Sequence, residues 1–127
     1  MGKIKILIVE DDSFLSEMYA KKFSEHDFEA QVAANGEEGV QKAKEIKPDI
    51  VLLDVVLPKM DGFEVLKAIK ENPSLQNTIV ILLTNLGQEG DLDKGKSLGA
   101  DEYIIKAHFT PSAVVGRVEE ALKKHKK

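Results

Sequence analysis

Cysteine and tryptophan are both missing from this 127-residue sequence, and proline occurs only four times. Without cysteine the chain can form no disulfide bond and offers no thiol for metal binding or catalysis. No apolar run approaches the roughly 20 residues that a membrane-spanning helix needs. The first residues also lack the length and cleavage pattern of a signal peptide. We therefore expect a soluble cytoplasmic protein with no membrane partner.

An excess of positive charge is missing as well. Lysine and arginine total 18 against 22 aspartates and glutamates, which gives a formal net charge of −4. Nucleic-acid binding depends on clustered basic charge, so this balance argues against nucleic acid as a main partner. The one basic cluster, residues 123–127, is typical of a solvated tail at the negative end of a helix. The length fits a single domain over residues 1–127.

Five apolar segments alternate with segments of helical character along the chain. We predict strands over 3–9, 28–33, 50–54, 79–83 and 103–105, and helices that begin near residues 13, 36, 62, 87 and 111. This alternation favours a parallel sheet with helices on both faces, and the short connections favour a doubly wound sheet over a closed barrel. The predicted fold class is therefore α/β, a three-layer (βα)5 sandwich.

Local signals add detail to two of these helices. The first is expected to be capped by Asp12 or Ser13 and carries apolar residues at i, i+4 spacing, namely Phe14, Leu15, Met18, Tyr19 and Phe23. The fourth, over 87–98, contains Gly90 and Gly95. An interior glycine costs about 1 kcal/mol relative to alanine, so this helix is predicted to be the least stable.

Polar residues end four of the predicted strands: Glu10 and Asp11 follow the first, while Asp54, Thr84 and Lys106 end the third, fourth and fifth. In a doubly wound sheet these ends share one edge, where such folds bind ligands. Crowded carboxylates stay ionised only beside a cation, and an all-oxygen set suits Mg²⁺. A lysine and a hydroxyl suit phosphoryl oxygens. Together they indicate phosphoryl transfer, with Asp54 as the candidate nucleophile.

The sequence resembles the receiver domain of two-component response regulators, the CheY-like proteins, along essentially the whole chain. Four stretches that include these strand ends carry the resemblance. They are residues 8–12, 53–62, Leu83-Thr84 and 99–106, and the separations between acid, threonine and lysine also match. The resemblance implies a flavodoxin-like fold with strand order 2-1-3-4-5, an order for which CheY itself is a standard example.

The resemblance further implies a phosphorylation switch. Asp54 would take a phosphoryl group from a sensor histidine kinase or a histidine phosphotransfer protein. Asp11 and Asp54 would bind Mg²⁺ directly with the backbone carbonyl of Val56, and Glu10 would bind it through water. Such a protein promotes only its own phosphorylation and dephosphorylation and is not a turnover enzyme.

The resemblance also assigns the remaining residues. Lys106 and Thr84 would hold the phosphoryl oxygens, and Thr84 and Tyr103 would move together to reshape the face of the fourth helix, fifth strand and fifth helix. A separate downstream protein, which the sequence does not identify, would recognise that face. Homodimerisation on phosphorylation is a further expectation. Since no output domain follows the last predicted helix, we expect the stand-alone form.

The sequence departs from the family pattern beside two of the site residues. Ala107 follows the lysine where the family usually has a cis proline; a cis bond before alanine costs about 3–4 kcal/mol, so we predict a trans bond. The loop must then aim Lys106 in another way. Asn85 follows the threonine where a small residue is usual. Val56 and Leu86 place apolar groups beside the site, which predicts a slowly hydrolysed phosphoryl group.

Other interpretations remain open on the residues alone. The chain could be a phosphorylation-independent interaction module on the same fold, which an assay with a small phosphodonor would distinguish. A flavodoxin-like cofactor enzyme is disfavoured, because Glu10-Asp11-Asp12 would repel a cofactor phosphate. Asp12 and Asp61 are more typical of helix caps than of ligands. Tyr103 could equally be ordinary aromatic packing.

Overall fold

The computed structural model describes residues 3–58, 60–84, 89–106 and 109–125, with residues 89–92 described for their backbone only. Strands and helices alternate through these ranges. The strands are β1 (Ile4–Val9), β2 (Phe28–Ala33), β3 (Ile50–Asp54), β4 (Ile79–Thr84) and β5 (Glu102–Ile105). The helices are α1 (Ser13–Glu25), α2 (Gly36–Ile46), α3 (Gly62–Glu71), α4 (Glu89–Ser97) and α5 (Pro111–His125).

The five strands form one parallel sheet in the order β2-β1-β3-β4-β5. This order confirms the fold class and places β2 at an edge. β3 lies in the middle, paired with β1 on one side and β4 on the other. The ends of β1, β3 and β4 therefore meet at one edge of the sheet.

Helices cover both faces of the sheet, which explains why the central strands are continuously apolar. On one face, Ile8, Leu52 and Ile81 pack with residues of α1 and α5. On the other, Val9, Leu53 and Leu82 pack with residues of α2 and α3. Successive strand residues point to opposite faces, so each strand supplies both clusters. We call these the α1/α5 cluster and the α2/α3 cluster.

The helix α4 approaches the sheet closely through Gly95. A β-carbon at this position would lie 2.5 Å from Cδ1 of Leu82 in β4. Lys94 lies over the ring of Phe63, with Nζ 4.6 Å from the ring centroid, which adds a cation–π contact to α3. Gly87, included in the predicted helix, lies outside the described residues. No helix in the described part of the chain combines the length and the apolar character that crossing a bilayer requires.

One prediction for α1 needs correction. The i, i+4 spacing placed Phe14 with the other apolar residues, and Tyr19 and Phe23 are indeed buried, but Phe14 is 71% exposed. Phe14 belongs to the first turn, where Asp12 caps the helix with a side-chain oxygen that accepts from the backbone N–H groups of Phe14 and Leu15. Phe14 is not among the residues that pack in or against the α1/α5 cluster, so its apolar spacing did not decide its burial.

Candidate functional site: the carboxyl edge of the sheet

Three charged side chains at the sheet edge continue the alternation of the strands that carry them. Glu10, Asp54 and Lys106 each follow by two positions a residue of the α1/α5 cluster, which are Ile8, Leu52 and Ile104. Because strand residues two apart share a face, the three charged residues lie on the same side of the sheet. The fold itself thus gathers residues that are distant in sequence.

Lys106 joins the two buried carboxylates. Its Nζ lies 2.7 Å from Oδ2 of Asp54 and 2.8 Å from Oε1 of Glu10. Asp54 is only 4% exposed and Glu10 only 2%. Two ionised carboxylates this deeply buried are tolerated only when they are paired and hydrogen-bonded. Lys106 supplies the cation that the crowded acids at the strand ends require.

The pKa values at this edge reflect burial and pairing. Burial raises the pKa of the Glu10 carboxyl above its ordinary value of 4.5, and the charge of Asp54 adds to this, while Lys106 and the N–H of Asp12 act in the opposite direction. For Lys106, burial lowers the pKa, but the hydrogen bonds and charges of Asp54 and Glu10 outweigh it and raise the pKa above 10.5. Lys106 is therefore charged at neutral pH.

Asp11 completes a cluster of oxygen atoms. One carboxylate oxygen from each of Glu10, Asp11 and Asp54 lies within 4.8 Å of the others, and Asp11 is exposed to solvent. Oxygen ligands from a few carboxylates, with an open side for water, suit Mg²⁺, which keeps several waters and binds few protein groups. The donor set therefore fits a magnesium ion, with Lys106 already competing for two of the three carboxylates.

The loop after β3 is held tightly against Asp54. The N–H of Val56 donates to Oδ1 of Asp54 at 3.1 Å, and the N–H of Gly62 donates to the carbonyl of Val55 at 2.9 Å. A β-carbon on Gly62 would lie 2.3 Å from the carbonyl oxygen of Asp54, so only glycine fits at the start of α3. This packing fixes the Val56 backbone beside the acid and leaves the Val56 side chain 67% exposed.

Thr84 and Tyr103 lie on neighbouring strands. Thr84 is buried at the end of β4, where Leu83 is paired with Asp54 in β3. Tyr103 is half-buried in β5 opposite Leu82 and packs against the α2/α3 cluster. Tyr103 therefore belongs to the other face of the sheet from Asp54 and Lys106. The structure brings together the acids and the lysine, and it places Tyr103 apart from them.

Asp12 and Asp61 act as helix caps, as their sequence context favoured. Asp12 caps α1 through Oδ1, as described above. Asp61 caps α3 in a reciprocal arrangement, in which its side chain accepts from the N–H of Glu64 while the Glu64 side chain accepts from the N–H of Asp61. Capping accounts for both residues. Asn85, Leu86 and Ala107, on which other expectations rested, lie outside the described residues.

The sequence predicted Tyr19 and Phe14 only as members of one apolar helix face, and it missed the position of Tyr19 beside the charged site. Tyr19 in α1 is buried, and burial raises the pKa of its hydroxyl; the charge of Lys106 lowers it and those of Glu10 and Asp54 raise it again. Phe14 is exposed in the first turn of the same helix. Their shared apolar spacing suggested a single buried face. Only the tertiary structure shows that Tyr19 is buried and Phe14 is exposed.

Comparison with known proteins gives the same family throughout. Residues 6–119 match the model of the response regulator receiver domain. The alkaline phosphatase synthesis transcriptional regulatory protein PhoP of Bacillus subtilis is 35% identical over 94% of this chain and 49% of its own length. The chain thus spans about half the length of the curated relatives it matches.

Solved structures agree with this match. The chemotaxis protein CheY4 of Vibrio cholerae is 27% identical with a TM-score of 0.89, covering 95% of this chain and 100% of that one. The response regulator DrrB of Thermotoga maritima, described as an OmpR/PhoB homologue, is 33% identical with a TM-score of 0.84, covering 100% of this chain and 55% of that one. The chain belongs to the response regulator receiver domain family of two-component systems.

Proposed function

We propose that this protein is a phosphorylation switch in which Asp54 accepts a phosphoryl group from a sensor histidine kinase or a histidine phosphotransfer protein. The observation that carries the proposal is the cluster of Glu10, Asp11 and Asp54 with Lys106 bound to two of them. Such a set of acids around one cation suits phosphoryl transfer, which relies on charge stabilisation and positioning.

In this proposal Mg²⁺ is held by Asp11 and Asp54 directly, by the backbone carbonyl of Val56, and by Glu10 through water. The three acids offer oxygen atoms within 4.8 Å of one another, which supports this assignment. A bound magnesium ion would offset the negative charge that the incoming phosphoryl group brings to a site already rich in carboxylates.

The transfer forms one bond and breaks another. A carboxylate oxygen of Asp54 bonds to phosphorus while the phosphorus–nitrogen bond to the donor imidazole breaks, and the electron pair of that bond stays on the nitrogen. Lys106 then moves its Nζ from the carboxylates to a phosphoryl oxygen, and the Thr84 hydroxyl donates to another. Formation of the acyl phosphate removes the negative charge of the Asp54 carboxylate and so releases Lys106 for this role.

The phosphorylated state would be recognised on the face formed by α4, β5 and α5. Thr84 and Tyr103 are the proposed switch pair that couples this face to Asp54. The face contains a hollow of about 360 Å³ whose lining includes Lys96, Tyr103 and Arg117. Switching elements come from the less stable parts of a fold, and the glycines of α4 support that role. A separate protein, or a second copy of this chain, would bind there.

The residues 1–127 would act as one domain in this function, whatever longer protein they belong to. The experiment is to incubate the protein with acetyl phosphate and MgCl₂ and to measure its intact mass. We expect the mass of one phosphoryl group to be gained with Mg²⁺ and not to be gained when a chelator is present from the start. Asp54→Asn should gain nothing, and Asp27→Asn, which changes an exposed acid outside the site, should behave like the unchanged protein.

The alternative is an interaction module that does not depend on phosphorylation. No mass gain under any Mg²⁺ concentration, with the fold intact by circular dichroism, would favour that alternative. A gain that persists in Asp54→Asn would mean that another residue is the acceptor.

A further inference from the structure

A backbone hydrogen bond links Lys106 to Phe109, just before α5. The N–H of Phe109 donates to the carbonyl of Lys106 at 3.3 Å, which closes a tight turn directly behind the lysine. Thr110 then accepts from the N–H of Ala113 through its hydroxyl and from that of Val114 through its carbonyl, and α5 begins at Pro111. Lys106 is thus separated from a rigid helix by a few residues only.

Phe109 anchors this turn between the core and α5. Its ring is half-buried and packs against the α1/α5 cluster. Cζ of Arg117 lies 5.2 Å from the centroid of the same ring, which is a cation–π contact. Arg117 itself is half-buried in α5. Val115 and Val118 of the same helix are buried, and their packing fixes the backbone that carries Arg117.

We propose that Phe109 and Arg117 are positioning residues that aim Lys106 at Asp54. To reach two carboxylates at 2.7 and 2.8 Å, the lysine needs a fixed backbone as well as an extended side chain. Ala107 supplies no ring to restrict that backbone, as a proline would. The anchored ring of Phe109 restricts it from the other end of the turn. The inference rests on the proposed function, because it assigns Lys106 a task in phosphoryl transfer.

A purely structural role for Phe109 makes a different prediction. If the ring only fills the core, its loss lowers stability but affects phosphorylation equally whether or not Lys106 is present. If it positions Lys106, its effect on the phosphorylation rate disappears once Lys106 is removed. A double-mutant cycle separates the two, since residues that act through one another are not additive.

The experiment measures the rate of phosphorylation by acetyl phosphate in Arg117→Leu and Phe109→Leu, each with and without Lys106→Ala. Both substitutions keep apolar cover over the turn while removing the cation or the ring face. We expect each to slow phosphorylation about threefold, in line with the modest strength of a cation–π contact. In the Lys106→Ala background neither should slow it further. Lys123→Ala, elsewhere on α5, should leave the rate unchanged.

A second readout needs no phosphorylation. The ammonium group of a lysine held by two buried carboxylates exchanges slowly enough with water to give its own nitrogen–proton NMR signal. We expect that signal of Lys106 to broaden or vanish in Arg117→Leu and Phe109→Leu, and to remain in Phe109→Tyr, which keeps the ring. If the unchanged protein takes no phosphoryl group, the proposed function fails, yet this signal still tests the positioning.

Two results would overturn the inference. One is an unchanged Lys106 signal in both leucine variants. The other is a loss of phosphorylation rate that is as large in the Lys106→Ala background as in the protein that retains the lysine.

Discussion

Lys106 and Asp54 form an ion pair of 2.7 Å although 52 residues separate them in sequence. The pair spans β3 and the end of β5, with β4 lying between the two strands. The same ammonium group also binds Glu10 at 2.8 Å. Lys106 therefore already offsets the charge of two of the three acids that would bind a metal ion. Competition between lysine and metal follows from this geometry.

Replacing Lys106 by alanine should strengthen Mg²⁺ binding. The lysine is charged at neutral pH, because its pKa lies above 10.5, and it holds two of the candidate ligands. Removing it should tighten the dissociation constant by about tenfold, which corresponds to about 1.4 kcal/mol. Isothermal titration calorimetry with MgCl₂ measures this.

The control for that experiment is Lys22→Ala, which removes a lysine paired with Glu25 on the surface of α1. Its Mg²⁺ affinity should not change. Weaker binding in Lys106→Ala would contradict competition and would instead mean that the lysine helps to assemble the site.

Replacing Val56 by asparagine should shorten the life of the phosphoryl group. The Val56 side chain is 67% exposed, and its backbone N–H binds Asp54. An apolar side chain here orders no water beside the acyl phosphate, whereas an amide can hold an attacking water by hydrogen bonds. We expect hydrolysis to become several-fold faster, measured as loss of radioactive label from Asp54. Ala34→Asn adds the same amide at an exposed loop position. An equal acceleration of hydrolysis there would contradict a specific effect of the side chain at position 56.

Replacing a glycine that lies in close backbone contact should change the free energy of unfolding differently from replacing a glycine in open space. A β-carbon on Gly62 would meet backbone atoms of Asp54 and Val55 at 2.3 and 2.7 Å, whereas one on Gly116 would meet nothing within 4 Å. Gly62→Ala should lower the free energy of unfolding by about 1–3 kcal/mol through overpacking. Gly116→Ala, inside α5, should raise it by up to about 1 kcal/mol. Urea denaturation measures both free energies. Equal effects would show that the loop after β3 adjusts to the added methyl group without a loss of stability.

The attachment of α5 to β5 should weaken in acid. Burial raises the pKa of Glu102, but hydrogen bonds from His125 at 3.0 Å and from Lys124 at 3.3 Å outweigh it and lower the pKa below 4.5. A carboxyl with a lowered pKa stabilises the fold above pH 4.5, and this contribution is lost as the pH falls through the folded-state value. Glu102→Gln should therefore cost about 0.5–1 kcal/mol at neutral pH.

The measurement is the free energy of unfolding in urea from neutral pH to below 4.5, where the difference between Glu102→Gln and the unchanged protein should close. Glu120→Gln on α5 controls for the loss of one negative charge. A difference that stays constant, or grows, as the pH falls would contradict the assignment to this ion pair.

Much of the fold could be predicted because the strands carry their own signal. The run Ile50–Leu53 is apolar on both faces, and a strand of this kind fits only the middle of a covered parallel sheet. Asp12 and Asp61 were recognisable as caps, and both do cap helices. The strand order, in contrast, was predicted from the family resemblance, because spacing alone does not show which strands are neighbours.

Contacts between distant residues were harder to predict. Phe14 has the same spacing as buried residues of α1, yet it is exposed. The sequence around Asp101 is typical of a turn. In the structure, however, its Oδ2 accepts from Lys70 Nζ at 2.8 Å and from the N–H of Val80 at 2.9 Å. The contact of Arg117 with Phe109 had no sequence signal at all. Each depends on which helix lies over which strand.

The sequence by itself determined the alternation of strands and helices, and with it the gathering of Asp54, Thr84 and Lys106 at one sheet edge. Those features follow from local periodicity and from the rule that parallel strands end together. Only the tertiary structure decided that Lys106 binds both Glu10 and Asp54, that Tyr103 lies on the other face, and that Phe109 is held by Arg117. Such pairings depend on distances of a few ångströms between separate elements, and packing of the whole chain sets those distances.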